Sequence, residues 1–555
     1  MRNTRLIAVC FFVFLFSLFI LAKIFSLQVF HFRYFRKLAS NQHNLTVELS
    51  GKRGSILDSQ GNILAEDIPA YSVYAVPKKI TQKREMVKAL SALLGLPKKE
   101  LAERFSSDKS FVWVKRDINV ALKEKVEKLK IPGLGFLKRN KRFYPQERLA
   151  SQVLGFVDID GRGVEGAEIQ FDSFLDSEKG KAVLIRDSRG NVLPLYKEFL
   201  PPRNGLSIIL TIDANIQYWA EHFLKEAVDS SRAKGGSVVI MDPRTGRIIA
   251  ICNYPWFDPN RVRDFSPECF RDKAVSDFYE PGSVFKIVTL LSALSGVKGV
   301  FQKTFFCEKG LYKIPGSVLH DWKAFGNLSF EEVFENSSNI GVSKIAGLTG
   351  KKNIYRGIQK AGFGRKTGID LPGETPGLVK PLSQWSKTSQ YIIPIGQEVG
   401  VSLLQLVRAF SLVANGGYLV RPHVLDSAVD SGGVTVKKVR DQKSGRMFSP
   451  EVINRAKEIL YQVVNKGTGR HAKIEGIKIA GKTGTAQKVS PKGGYSHSAY
   501  YASFIGFFPV ENPKYTIGVV VDEPKTYHYG GMIAAPLFKK IAEKIIEYKR
   551  LIPGT

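Results

Sequence analysis

The sequence predicts a mixed α/β (α+β) domain of about 345 residues in the C-terminal part of the chain. A smaller α+β module and one apolar helix precede it. Three observations carry this reading: apolar strand-like runs open and close the C-terminal stretch with helical patterns between them, the texture changes at Pro201-Pro202-Arg203-Asn204-Gly205, and residues 6–22 are apolar except for Ser17. The chain has 555 residues, 44% hydrophobic and 24% charged, which excludes wholesale disorder and collagen-like repetition. Its four cysteines (Cys10, Cys252, Cys269, Cys307) include no CxxC pair, and there is no HExxH, so neither a disulfide scaffold nor a zinc module is expected. No metal or cofactor is expected. The formal net charge of +31 suits an anionic membrane surface, an acidic polymer or nucleic acid. No nucleic-acid motif accompanies it, so nucleic acid is not an expected partner.

In chain order, a tail of residues 1–5 carries Arg2 and Arg5, and residues 6–30 then read as a transmembrane anchor. At about 1.5 Å rise per residue the segment crosses a hydrocarbon core of roughly 30 Å. Lys23, Ile24 and Phe25 follow Ala22 with no A-x-A cleavage pattern, so the anchor is expected to stay attached. Basic residues stand on both sides of it, and charge leaves its orientation open. Residues 31–204 form the N-terminal module. Within it residues 71–76 read as a strand, 84–94 and 98–105 as helices, and 109–141 as a further strand and a basic helix. Two islands, Arg53-Gly54-Ser55-Ile56-Leu57-Asp58 and Gly161-Arg162-Gly163-Val164-Glu165-Gly166-Ala167-Glu168, read as turns in which glycine supplies positive φ.

Residues 205–555 form the larger domain. A strand is expected over 206–212, then a helix capped by Asp213 and running to about Ser230. Residues 237–241 and 247–252 read as a hairpin turning at Asp242-Pro243-Arg244-Thr245-Gly246, and residues 535–549 as an amphipathic helix.

The chemistry concentrates at three places. Pro281-Gly282-Ser283-Val284-Phe285-Lys286 opens a helix whose next eight residues are apolar on nearly every face, so that helix is expected to be buried all round. Ser283 and Lys286, three apart, then share a face of its first turn. Burial lowers a lysine's pKa and frees its amine as a base, which a serine one turn away can use to become a nucleophile. S-x-x-K alone is weak in so lysine-rich a chain; Ser106 and Lys109 match it in a loop, and Pro315-Gly316-Ser317-Val318 copies the turn with His320 in place of lysine. Second, Ser329 and Glu332 stand at capping-box spacing, and their helix ends in Glu335-Asn336-Ser337-Ser338-Asn339, a polar S-x-N bend before an apolar helix from Ile340. Third, Ile477-Lys478-Ile479-Ala480-Gly481-Lys482-Thr483-Gly484-Thr485-Ala486-Gln487 reads as a strand with K-T-G, while a second K-T-G at Lys366 lies in a Gly- and Pro-flanked turn.

Ser-x-x-Lys, Ser-x-Asn and Lys-Thr-Gly in this order resemble the signature of penicillin-recognising serine enzymes. With Arg142-Phe143-Tyr144-Pro145 and the two glycine islands, the chain resembles class B penicillin-binding proteins, the single-pass cell-wall transpeptidases, over nearly its whole length. Tyr279-Glu280-Pro281-Gly282 and Asn336-Ser337-Ser338-Asn339-Ile340-Gly341 resemble the division-specific FtsI branch. The resemblance implies the penicillin-recognising transpeptidase fold, an antiparallel sheet flanked by helices, with an elongated pedestal like the family's dimerisation module. It implies Ser283 as nucleophile, Lys286 as its base, and Ser337 and Asn339 as proton relay and amide binder. Lys482 would supply positive potential, Thr483 and Thr485 would hold a carboxylate beside Gly484, and the N–H groups of Ser283 and Thr485 would form the oxyanion hole. Asp272 and Val284 depart from the usual asparagine and threonine without touching these roles. The implied reaction cross-links peptidoglycan stem peptides at the septum, outside the cytoplasmic membrane. The implied partners are β-lactams, division proteins and a polytopic glycosyltransferase. An elongation-specific transpeptidase, a D,D-carboxypeptidase, a β-lactamase, an antibiotic sensor and a division scaffold are the competing readings.

Overall fold

The computed structural model describes residues 2–106, 109, 111–186, 192–490, 494–527 and 529–551. By contacts the chain divides into two compact units, Met1–Lys52 with Ser177–Gly205, and Arg53–Asp176 with Leu206–Thr555.

In the first unit, helix Arg2–Phe25 continues as a π-helical turn, Ser26–Phe30. Residues Asn3–Phe30 make the one described helix long and apolar enough to cross a membrane. After helix Phe32–His43, strand Asn44–Leu49 pairs with Gly180–Arg186, which pairs with Val192–Leu200, all antiparallel.

The second unit is built on a five-stranded antiparallel sheet in the order Ile248–Tyr254, Gly235–Met241, Tyr515–Asp522, Tyr495–Phe508, Ala480–Val489. Strand Gly235–Met241 is buried along its whole length and serves two cores by alternation. Val238 and Ile240 pack with helices Ala214–Ser231 and Gly530–Tyr548, while Val239 and Met241 face the core that holds helices Lys286–Gly296 and Leu403–Ala414. The period-two side-chain alternation of a strand between two helical layers produces this division. Asp213 caps its helix as the sequence predicts, accepting from the N–H groups of Asn215 and Ile216.

A second sheet joins Ile56–Leu57, Ile63–Ala75, Val112–Ile118 and Leu134–Phe143 to Ser207–Leu210, Leu425–Val429 and Thr435–Lys438. It therefore runs across the change of texture near Pro202. The region read as one strand and a helix holds two strands, because Leu134–Phe143 pairs with Ile63–Ala75 in unbroken register. Its Lys138, Arg139 and Lys141 hide the apolar alternation by which a strand is recognised.

The glycine islands meet through a buried ion cluster. The Glu168 carboxylate accepts from Arg53 Nε at 2.7 Å and Arg142 Nε at 2.6 Å, and Tyr144 Oη donates to it at 3.2 Å. Arg142 also donates to the Gly54 carbonyl. Gly161 has the positive φ expected of a turn, but Gly54 has another reason: a Cβ there would stand 1.9 Å from the Leu206 carbonyl oxygen. All four cysteines are free thiols.

Glu168→Ala should leave two buried guanidiniums facing an empty site and lower unfolding free energy by about 3–5 kcal/mol, read as a lower urea midpoint. A midpoint equal to that of the natural protein would show the cluster to be energetically idle.

Candidate active site

The nucleophile segment starts with a 3-10 turn, Gly282–Phe285, and becomes α-helical at Lys286. The sequence predicts an α-helical first turn. The 3-10 geometry serves the pair better, because side chains at i and i+3 eclipse in it and set Ser283 above Lys286. Residues 286–293 are all buried, and Lys286 is 0% exposed. The amphipathic rule fails here for a simple reason: helices Asn339–Thr349, Lys351–Lys360 and Pro450–Asn465 pack round this one.

The S-x-N bend is held from both sides. Its leading helix, Phe330–Glu335, has the predicted capping box between Ser329 and Glu332. Ser338 caps the following helix, Asn339–Thr349, by accepting from the Gly341 N–H. Between them Ser337 takes φ +57°, a left-handed backbone that costs a non-glycine residue about 1–3 kcal/mol. That conformation delivers both its carbonyl and its hydroxyl to lysines. Lys286 Nζ donates to Ser337 O at 2.6 Å, to Asn339 Oδ1 at 2.8 Å and to Ser337 Oγ at 3.3 Å. Lys482 Nζ reaches the same hydroxyl at 2.9 Å and the Thr483 carbonyl at 3.1 Å.

Lys286 thus bonds to the S-x-N bend and not to Ser283, which was its expected partner. Three acceptors on one bend satisfy a three-donor ammonium; the neutral amine has a lone pair to turn toward the half-buried Ser283. Burial lowers Lys286 to about 7, opposed by the Asp321 carboxylate. Lys482 is held well below the ordinary lysine value, first by burial and then by Lys286. Two amines meeting at one hydroxyl in a dry site resist carrying two protons.

The K-T-G strand, Ala480–Val489, is the edge of the central sheet. Glycines let it lie against the nucleophile turn. A Cβ on Gly484 would come within 3.0 Å of the Pro281 carbonyl oxygen and of Val284, and one on Gly282 (φ +57°) within 2.8 Å of the Thr485 carbonyl oxygen. Thr483 Oγ1 lies 2.9 Å from Thr468 Oγ1, and Thr485 Oγ1 accepts from the Gly530 N–H at 3.1 Å. Both hydroxyls are thereby fixed on the strand that carries Lys482. The decoys stay apart: Thr367 and Gly368 wrap the Glu374 carboxylate, and Gly316 with Ser317 turns a small hairpin. Of the two departures, buried Val284 packs under the strand, and Asp272 accepts from Asn253 Nδ2 at 2.9 Å. Burial pushes Asp272 up to about 6.

One contributor escaped the sequence reading. Asp321 follows the hairpin strand Ser317–His320, and its carboxylate accepts from Asn339 N at 2.5 Å, Ile340 N at 3.2 Å and Ser338 Oγ at 2.6 Å. It locks the bend at the N-terminus of helix Asn339–Thr349, where an anion is favoured. Nothing in its spacing advertises this, because the contact is made by a hairpin folding back over 18 residues of chain. The assembled groups suit acyl transfer: a serine one turn from an amine that loses its proton near neutral pH, and a hydroxyl shared by that amine and a second one on the strand edge.

Two family models match the chain, the penicillin binding protein transpeptidase domain over residues 236–543 and the penicillin-binding protein dimerisation domain over residues 48–210. The chain is 33% identical over 525 residues to the probable peptidoglycan D,D-transpeptidase PenA of Neisseria meningitidis, covering 93% of this chain and 87% of the relative. It is 30% identical over 563 residues to the peptidoglycan D,D-transpeptidase FtsI of Buchnera aphidicola, covering 99% and 96%. Among solved structures, penicillin binding protein 3 of Mycobacterium tuberculosis complexed with aztreonam is similar with a TM-score of 0.71 at 27% identity, covering 92% of this chain and 98% of that one.

Because the base must be neutral, acylation of Ser283 by a β-lactam should slow as pH falls through about 7. Asp321→Asn removes the charge that favours the Lys286 ammonium, so this acid limb should move to lower pH. The loosened bend should also slow acylation by roughly tenfold. A limb that stays in place in this variant would show that Asp321 does not act on the base.

Proposed function

The chain belongs to the penicillin-binding protein transpeptidases, in their class B, FtsI-like form, and from that premise we propose how its site residues perform the reaction. It is a serine-type peptidoglycan D,D-transpeptidase. The observation that carries the residue assignment is the convergence of Lys286 and Lys482 on the Ser337 hydroxyl, with Ser283 one 3-10 turn from Lys286.

Neutral Lys286 takes the Ser283 proton as Oγ attacks the carbonyl of the penultimate D-alanine of a donor stem peptide. The oxyanion that forms faces the N–H groups of Ser283 and Thr485, donors already in place on a tight turn and a sheet edge. Lys482 with Thr483 and Thr485 holds the substrate's terminal carboxylate, and Gly484 leaves room for its backbone. The proton passes from Lys286 through Ser337 Oγ to the departing amine, and the C–N bond breaks to release D-alanine. Asn339 binds the peptide amide and holds Lys286. An amine of a second stem peptide then attacks the acyl-enzyme, loses a proton to Lys286 and forms the cross-link, returning Ser283. A β-lactam enters by the same first step, with its ring amide in place of the D-alanyl-D-alanine bond.

The septal assignment rests on the Tyr279-Glu280-Pro281-Gly282 and Asn336-Ser337-Ser338-Asn339 segments and on similarity to a relative named FtsI. The helix over Asn3–Phe30 supports a membrane anchor; the bulk of the chain then belongs outside the cytoplasmic membrane because the stem peptides lie there. The working division is a tail of residues 1–5, an anchor of 6–30, a pedestal of 31–204 and a transpeptidase domain of 205–555. Division proteins, among them a polytopic glycosyltransferase, are the partners this placement requires.

A fluorescent penicillin should label membranes containing the protein, and digestion of the adduct should place the added mass on Ser283. Ser283→Ala should abolish labelling. A variant that still labels would refute the assignment of the nucleophile, and a natural protein that takes no label would refute the activity. A fluorescent fusion should gather at midcell; side-wall localisation would overturn the septal role.

A further inference from the structure

A cavity of about 550 Å³ opens between the short helices of the second glycine island and the end of the second sheet. Phe174, on helix Asp172–Leu175, lines one side. Lys437 and Lys438, on the end strand Thr435–Lys438, line it together with Arg440 and Arg421. The acyl-transfer reaction uses none of these residues.

All four cations are exposed, and among the described residues none of them has an ion pair. Elsewhere on this basic surface lysines do find carboxylates, as Lys540 finds Glu226 at 2.6 Å and Lys478 finds Glu511 at 2.9 Å. Around the cavity the carboxylates are already spent. Asp370, the one carboxylate in its lining, accepts from the Val424 and Leu425 N–H groups at 2.6 and 3.1 Å. Asp426, on the neighbouring strand, is taken by Arg247 at 2.6 Å, and Asp441 stands 3.7 Å from Nε2 of buried His423. Four like charges gathered round one hollow repel one another, and the fold keeps them there without a counter-charge.

Two of the four are also held in position. Lys437 Nζ lies 4.8 Å from the centre of the Phe174 ring. Arg421 Nε donates to the Gly368 carbonyl at 2.6 Å, and its terminal nitrogens then make only one long contact among the described residues, to Gln442 Oε1 at 3.4 Å. The second Lys-Thr-Gly turn, idle in the reaction, is thereby the seat of this guanidinium. A fixed guanidinium fork flanked by ammonium groups suits a phosphoryl group better than a carboxylate, because a phosphate brings up to two charges and three acceptor oxygens.

We propose that this cavity binds a phosphate ester, whose oxygens are received by Arg421, Lys437, Lys438 and Arg440. Ser173 and Gln442, which also line it, offer hydrogen bonds to the polyol or sugar that carries the phosphate. The site stands apart from acyl transfer and does not rest on the transpeptidase reading. A soluble phosphate ester and a phospholipid headgroup share this chemistry, and the test separates them.

The test is calorimetric titration of the full chain in non-ionic detergent with inorganic pyrophosphate, at about 0.15 M salt. The natural chain should bind one equivalent with a Kd of roughly 0.1 mM, and malonate, a dicarboxylate of similar size, about tenfold more weakly. The triple variant Lys437→Gln, Lys438→Gln, Arg440→Gln should lose at least about tenfold in pyrophosphate affinity. A control triple, Lys298→Gln, Lys351→Gln, Lys352→Gln, removes the same charge from other exposed positions and should bind as the natural chain does. Should the first triple fail to fold, Arg421→Lys carries the test: it keeps the charge, loses the fork and should still weaken binding severalfold. Titration with glycerol phosphate against dihexanoyl phosphatidylglycerol then shows which source binds more tightly. No binding at millimolar pyrophosphate, an equal loss in both triples, or malonate binding as tightly as pyrophosphate would overturn the site. Penicillin acylation of Ser283 should be the same in the natural chain and both triples, so the fate of this site and that of the transpeptidase reading are read separately.

Discussion

A single hydroxyl, Ser337 Oγ, lies between two buried lysine amines, at 3.3 Å from Lys286 and 2.9 Å from Lys482. Much of the rest of the structure answers the cost of that arrangement. Two ammonium groups taken from water and set against the same oxygen are unstable together, so protons leave them at pH values where exposed lysines keep theirs. The outcome is an amine that loses its proton near neutral pH one turn from Ser283, and a second amine, also held low, on the neighbouring strand. In the proposed mechanism one desolvated pair supplies both the group that removes a proton and the group that receives a carboxylate.

Holding such a pair needs a scaffold that cannot relax around it. Lys286 stands at the head of a helix enclosed by three others, and Lys482 on the edge of a five-stranded sheet packed between helical layers. The third corner is a strained bend with its backbone at φ +57°, kept in place by the Ser338 cap and by Asp321 reaching in from a hairpin. Strain of this kind persists only where neighbours fix it from several sides. Glycines at 282 and 484 then allow the nucleophile turn and the sheet edge to approach so closely that a side chain on either would collide with backbone.

What the sequence discloses about this design follows from the range of each interaction. Local signals were legible: the Asp213 cap, the Ser329–Glu332 capping box, the buried run after Lys286 and the turn residues of the decoy motifs. All act over a few residues, and all appear in the structure where spacing places them. The motif order brought Ser283, Lys286, Ser337, Asn339 and Lys482 into one site because each sits on an element with a recognisable pattern. Long-range contacts were not legible. The Arg53–Glu168–Arg142 cluster unites residues more than a hundred positions apart, and its glycines were read as turn residues when at least Gly54 is required by close approach. Asp321 belongs to the same class, its contact being a product of how the chain folds back.

The most direct test of the central claim is titration of the Lys286 side-chain nitrogen by NMR on isotope-labelled protein, assigned by comparison with Lys286→Arg. The structure predicts a midpoint near 7, set by burial, and a lower one in Asp321→Asn, since the carboxylate that favours the ammonium is then gone. A midpoint at the ordinary lysine value would contradict it, because an amine protonated throughout the neutral range could not take the proton from Ser283.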